Sequence, residues 1–141
     1  MKKLLAFSIG LLSLCCWVSC SSQTPEEQAA QAALSYYQRL LEGYPDGLQA
    51  AKADNDSLPA DYRDQRQRIF QQYAHDIEQK HGGLQAVCLS QNAARRDSFR
   101  IAGEDQWQQV VYAFLLLQFR DSTQEEIVVP MVERDGEWVL K

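Results

Sequence analysis

The sequence predicts an α+β domain: N-terminal helices packed on a curved antiparallel sheet of about four strands. Three observations carry this. Apolar residues recur at helical spacing twice in the first half of the chain, and the period changes after Gly82-Gly83. Beyond that point short β-branched and aromatic runs alternate with turn signals, ending in the hairpin pair Asp135-Gly136. A chain of 141 residues, 45% hydrophobic and 23% charged, builds one such domain and little else. This ordinary composition excludes collagen-like, low-complexity and wholly disordered chains.

The first element is an address. Met1-Lys2-Lys3 precedes an uncharged stretch from Leu4 to Val18, then Ser19 and Cys20. A basic start, an apolar run and a small residue before a cut site make a secretory signal peptide. The run is shorter than the roughly 20 apolar residues that span a bilayer. Val18-Ser19-Cys20 resembles a bacterial lipobox, which implies cleavage before a diacylated Cys20. The expected layout is therefore 1–19 signal peptide, 20–23 lipidated tether and 24–141 a single domain. Lys2 and Lys3 leave with the signal, which takes the net charge from -5 to -7. The tether reaches at most about 14 Å, at ~3.5 Å per residue, so the domain is expected close to the membrane. Of four cysteines only Cys88 then remains, which excludes an intramolecular disulfide framework. Cys88 sits beside Val87 and Leu89 and reads as a small buried hydrophobe.

Thr24-Pro25-Glu26-Glu27 starts the first helix: Thr24 caps, Pro25 suits the first turn and Glu27 completes a capping box. Ala30, Ala33, Leu34, Tyr37, Leu40 and Leu41 form its apolar stripe, and Gly43 and Pro45 end it. Residues 47–56 support a turn or two of helix. A second long helix starts near Ser57 to Ala60, with Tyr62, Ile69, Phe70, Tyr73, Ala74 and Ile77 as its apolar positions, and Gly82-Gly83 stops it.

Residues 84–90 read as a strand, and the polar, unpatterned 91–106 as a long loop or irregular hairpin. Strands are expected over 107–119, 123–132 and 137–140. With Asp121-Ser122 as a two-residue turn, Leu116 faces Ile127, Phe114 faces Val129 and Tyr112 faces Met131. The other face then carries Val111, Ala113, Leu115, Leu117 and Val128, more apolar surface than a monomer leaves wet. That face is the expected surface of a homodimer. Pro130 cannot donate to a ladder, so a bulge and a bend are expected there.

Leu58-Pro59-Ala60-Asp61-Tyr62-Arg63, Lys80-His81-Gly82-Gly83-Leu84, and Val129-Pro130-Met131-Val132 with Asp135-Gly136-Glu137-Trp138 resemble, in their order, a group of small bacterial lipoproteins of unknown function. That group belongs to the nuclear transport factor 2-like, cystatin-like superfamily. The resemblance implies a cone, with helices packed into the concave side of a curved sheet. The superfamily hosts isomerases, dehydratases, ligand carriers and interaction domains, so fold alone does not choose among them.

Little in the chain carries chemistry. His75 and Asp76 are adjacent and so diverge by about 100° on a helix. His81 reads as a helix-end residue. Two histidines without a spaced acidic cluster give no support for a metal site, and neither a nucleophilic triad nor a glycine-rich phosphate loop is present. Isomerase-like relatives need a buried carboxylate against a tyrosine or second acid, and Glu125 is the nearest acid to the strand faces. Tyr36, Tyr37, Tyr73, Trp107, Phe114 and Trp138 read as core or as the lining of an apolar cavity, with Tyr37, Tyr73, Phe114 and Trp138 the cavity candidates. Arg63, Arg66 and Arg68 are interleaved with Asp61 and Asp64; with an acidic net charge this argues against nucleic acid. The expectation is a periplasm-facing envelope lipoprotein, held to the membrane at Cys20, without a cofactor and non-catalytic, that binds or scaffolds. The alternatives are a carrier of a small apolar ligand in the cone, or an isomerase-like enzyme.

Overall fold

The computed structural model describes residues 22–100, 103 and 105–141. The expected signal peptide and Cys20 lie outside the described residues. The elements run α1 (Pro25–Leu41), α2 (Asp46–Ala50), α3 (Ala60–His81), β1 (Leu84–Arg100), β2 (Trp107–Phe119), β3 (Gln124–Arg134) and β4 (Glu137–Leu140). The strands form one antiparallel meander in the order β1-β2-β3-β4.

Helix α1 begins where the capping box places it. The Thr24 hydroxyl accepts from the Glu27 N–H and the Glu27 carboxylate accepts from the Thr24 N–H. Its stripe of Ala29, Ala30, Ala33 and Leu40 is buried against Val111, Ala113, Leu115 and Leu117 of β2 and Val129 and Met131 of β3. Three alanines in that stripe let the helix backbone lie close to the sheet. Helix α3 ends in Gly82, whose φ of 73° closes it in the left-handed conformation. Phe70, Tyr73, Ala74 and Ile77 dock it on the core. Its first half lies against α2, where the Gln67 amide donates to Asp46 over 2.9 Å. Tyr62 and Ile69, expected on the apolar stripe, are exposed: they lie at the margin of the face centred on Ile77.

Two expectations about the sheet are corrected. Strand β1 does not stop at residue 90. It runs on to Arg100, pairing Ala94 with Ala113 and Arg100 with Trp107 after a register shift between Leu89 and Ala94. The register of β2 on β3 is also one residue away from the expected one: Leu115, not Leu116, faces Ile127, and Phe114 faces Val128. The cause is the turn. Phe119 N–H donates to Thr123 C=O and Ser122 N–H to Phe119 C=O, leaving a three-residue loop closed by Ser122 at φ 70°. A type I turn followed by a left-handed residue shifts pairing by one relative to a two-residue turn. The β3–β4 hairpin is as expected, with Asp135 and Gly136 at φ 52° and 81° joining Arg134 and Glu137.

The register decides what is inside. Val111, Ala113, Leu115 and Leu117 are fully buried beneath the helices. The residues expected to form a dimer face are thus the core, and Val128 alone of the five stands exposed on the opposite, outer face. Tyr112, Phe114, Leu116 and Pro130 alternate with the core residues and share that outer face. The segment after α2 completes the far edge: Lys52 bridges to Leu140, with Ala53 N–H donating to Leu140 C=O and Leu140 N–H to Ala51 C=O.

Candidate functional site

A groove of about 360 Å³ lies at the end of the sheet where α1 begins. Pro25 approaches from the helix; Gln108 and Gln109 come from the start of β2, Val132, Glu133 and Arg134 from the end of β3, and Trp138 from β4. Pairing places Trp138 directly beside Glu133. Trp138 is half-buried: it packs against the core and also lines the groove. Its strand is fixed to α1 by the Tyr36 hydroxyl, which donates to the Trp138 carbonyl over 2.8 Å. Burial, then the nearby Glu137 carboxylate, raises the Tyr36 phenol above its ordinary range, so it stays a donor. The side chains of Gln108, Gln109, Glu133 and Arg134 have no hydrogen bond or ion pair to any other described residue. Alternation along the strands puts Gln109 and Glu133 on the face of Trp138 and Gln108 and Arg134 on the other, so one amide and one carboxylate stand beside the indole and remain available to something else. Trp107, two-thirds exposed, is one pleat away from Gln109 on the same face of β2.

A second cluster sits at the opposite end, where α3 meets the β2–β3 loop. His81 Nδ1 is 2.8 Å from Asp121 Oδ2 and 3.2 Å from Thr123 Oγ1, and its ring stacks on Phe119 with centroids 4.1 Å apart. The backbone repeats the connection: Asp121 N–H donates to His81 C=O and Arg120 N–H to Gly83 C=O. Donation by the Thr123 hydroxyl and N–H, then the contact with His81, holds the Asp121 carboxyl down at about 2. Tyr73 and Glu125 line a groove of about 120 Å³ beside this cluster, with His81 and Phe119. Burial, then the neighbouring Tyr37 and Glu125, pushes the Tyr73 phenol to about 12. His81 thus does more than end a helix: its side chain ties α3 to the β2–β3 hairpin. Sequence reasoning saw the helix end but not the partner, which lies 40 residues along the chain.

The four cavity candidates fall in different places. Trp138 lines the large groove and Tyr73 the small one. Tyr37 packs against the core, and burial raises its phenol. Phe114 stands on the outer face opposite Val128. His75 is exposed on α3. Cys88 is half-buried with its thiol directed at the Leu116 carbonyl, 3.8 Å away. Among the described residues no three His, Cys, Asp or Glu side chains come together as metal ligands would, and no helix is long and apolar enough to cross a membrane.

Compared with protein-family profiles the sequence matches none, and it matches no curated protein significantly. Among solved structures the fold is similar to a Campylobacter jejuni protein provisionally described as an NTF2-like transpeptidase. The TM-score is 0.54 at 11% identity, covering 78% of this chain and 94% of that one. At that identity the likeness speaks for the fold alone. The described residues have an NTF2-like α+β fold, three helices on a four-stranded antiparallel sheet.

Proposed function

We propose that this chain is a lipoprotein of the bacterial cell envelope, anchored at Cys20 and facing the periplasm, whose domain is a non-catalytic binding module. The reading rests on the N-terminal pattern ending in Val18-Ser19-Cys20 and on one structural observation. The groove at Trp138 gathers unpaired polar side chains, while the inner face of the sheet is filled by its own core. Leu48, Leu115, Leu117 and Met131 are fully buried where an apolar ligand of the cone would sit, so the carrier reading lacks its space. The isomerase-like alternative has a tyrosine and a carboxylate in Tyr73 and Glu125. They border a groove of only about 120 Å³, and Glu125 is exposed, whereas such chemistry uses acids set by a dry pocket. The transpeptidase description of the structural neighbour belongs to that protein.

Location adds to the reading. Pro25 is both the first residue of α1 and part of the groove wall. Five extended residues span at most about 18 Å, so an acylated Cys20 would hold the groove close to the lipid surface. The test is metabolic labelling with palmitate in cells expressing the full chain or Cys20→Ser. Label in the first and none in the second, with the substituted chain leaving the membrane fraction, is the expected result. An unlabelled parent chain would end the proposal.

A further inference from the structure

The geometry points to the Trp138 groove as a saccharide-binding site, one that takes a neutral sugar ring; this deepens the binding-module reading and rests on it. A pyranose presents two kinds of surface. Its C–H bonds form an apolar face with a slight positive charge, and its hydroxyls project from the rim as both donors and acceptors. The groove has a counterpart for each. The indole of Trp138 packs against the core and lines the groove, and its π-system carries the negative charge that suits C–H bonds. The Gln109 amide donates and accepts and the Glu133 carboxylate accepts. Neither has another partner among the described residues.

Other ligand classes fit less well. An apolar ligand would leave the Gln109 amide and the Glu133 carboxylate facing it without partners, at a cost of about 1–3 kcal/mol for each group so desolvated. A polyanion would meet Glu133, with one guanidinium to offset it. At about 360 Å³ the groove falls at the low end of ligand sites, which run from about 300 to 1,000 Å³. Its open form suits a short segment of a chain rather than an engulfed molecule. Stacking combined with rim hydrogen bonds in an open, wet groove gives weak binding, with a dissociation constant of about 1 mM for a trisaccharide.

The experiment titrates the full chain, in a sugar-free zwitterionic detergent, with tri-N-acetylchitotriose, cellotriose and trialanine, following tryptophan fluorescence and heat. Gln109→Ala and Glu133→Ala test the rim. Both residues are exposed, so these substitutions leave the fold intact, as circular dichroism will verify. Saturable binding of either trisaccharide, weakened at least about tenfold in each variant, supports the site. Three results overturn it: no response to either sugar at about ten times that concentration, equal binding by parent and variants, or binding of trialanine alone. Palmitate labelling of the same preparation reads the anchor separately, so loss of the sugar site leaves the lipoprotein reading standing, and the reverse.

Discussion

Replacing Leu115 by alanine tests the register of β2 on β3, and with it which face of the sheet is the core. Leu115 is fully buried between Leu89 of β1 and Ile127 of β3. The substitution removes three carbons, which at about 0.8 kcal/mol each amounts to ~2.4 kcal/mol of lost transfer energy. A residual cavity beneath α1 adds about 1 kcal/mol, because the close-packed alanines Ala30 and Ala33 have no longer side chains to move into it. The sum, about 3–4 kcal/mol, corresponds to a fall in Tm of roughly 10–15 °C for a domain of this size. Val128→Ala is the control. Val128 is 53% exposed on the outer face, and its truncation should cost about 0.5 kcal/mol. Urea denaturation gives both numbers. In the register with a two-residue turn, Leu115 and Val128 would be cross-strand partners and their truncations would cost similar amounts. Costs within about 1 kcal/mol of each other would refute the present assignment.

Other consequences follow from the same contacts. The Asp121 carboxyl is lowered to about 2, so its contribution is complete above the ordinary carboxylate value of 3.8 and is lost as pH falls through about 2. Asp121→Asn should therefore flatten the fall in urea midpoint between about pH 4 and pH 2; an unchanged acid limb would show that the cluster does not couple to folding. Gly83 has φ 110°, and a Cβ there would lie 2.7 Å from a Glu78 carboxylate oxygen. Gly83→Ala should cost about 1–3 kcal/mol, mostly backbone strain because Glu78 can swing away, and a neutral outcome would contradict the junction's geometry. Removing the Tyr36 hydroxyl with Phe deletes the donor to the Trp138 carbonyl and should cost about 1 kcal/mol. Greater protease sensitivity of β4 should accompany that cost.

What the sequence disclosed followed from how local each signal was. The cap at Thr24, the stop at Gly82 and the turn at Asp135-Gly136 depend on neighbours within four residues, and all three stand in the structure. Strand β1 beyond residue 90 was hidden. It is an edge strand whose residues 95–98 are all exposed, so no apolar alternation marks it. The register was hidden for the opposite reason: both faces of β2 are apolar, so the pattern fits either pairing, and a left-handed Ser122 decides between them. Trp138 was visible as a candidate. Its companions were not, because Gln109 and Glu133 meet it only after three strands pair.

The central claim is that ligands meet this domain at the Trp138 groove and not inside the cone. The measurement that reaches it most directly is an amide chemical-shift map of the isotopically labelled domain as tri-N-acetylchitotriose is added. Shifts confined to the start of β2, the end of β3 and β4, with Leu115, Val129 and Met131 unmoved, are the predicted result. Shifts centred on those three core residues would contradict it.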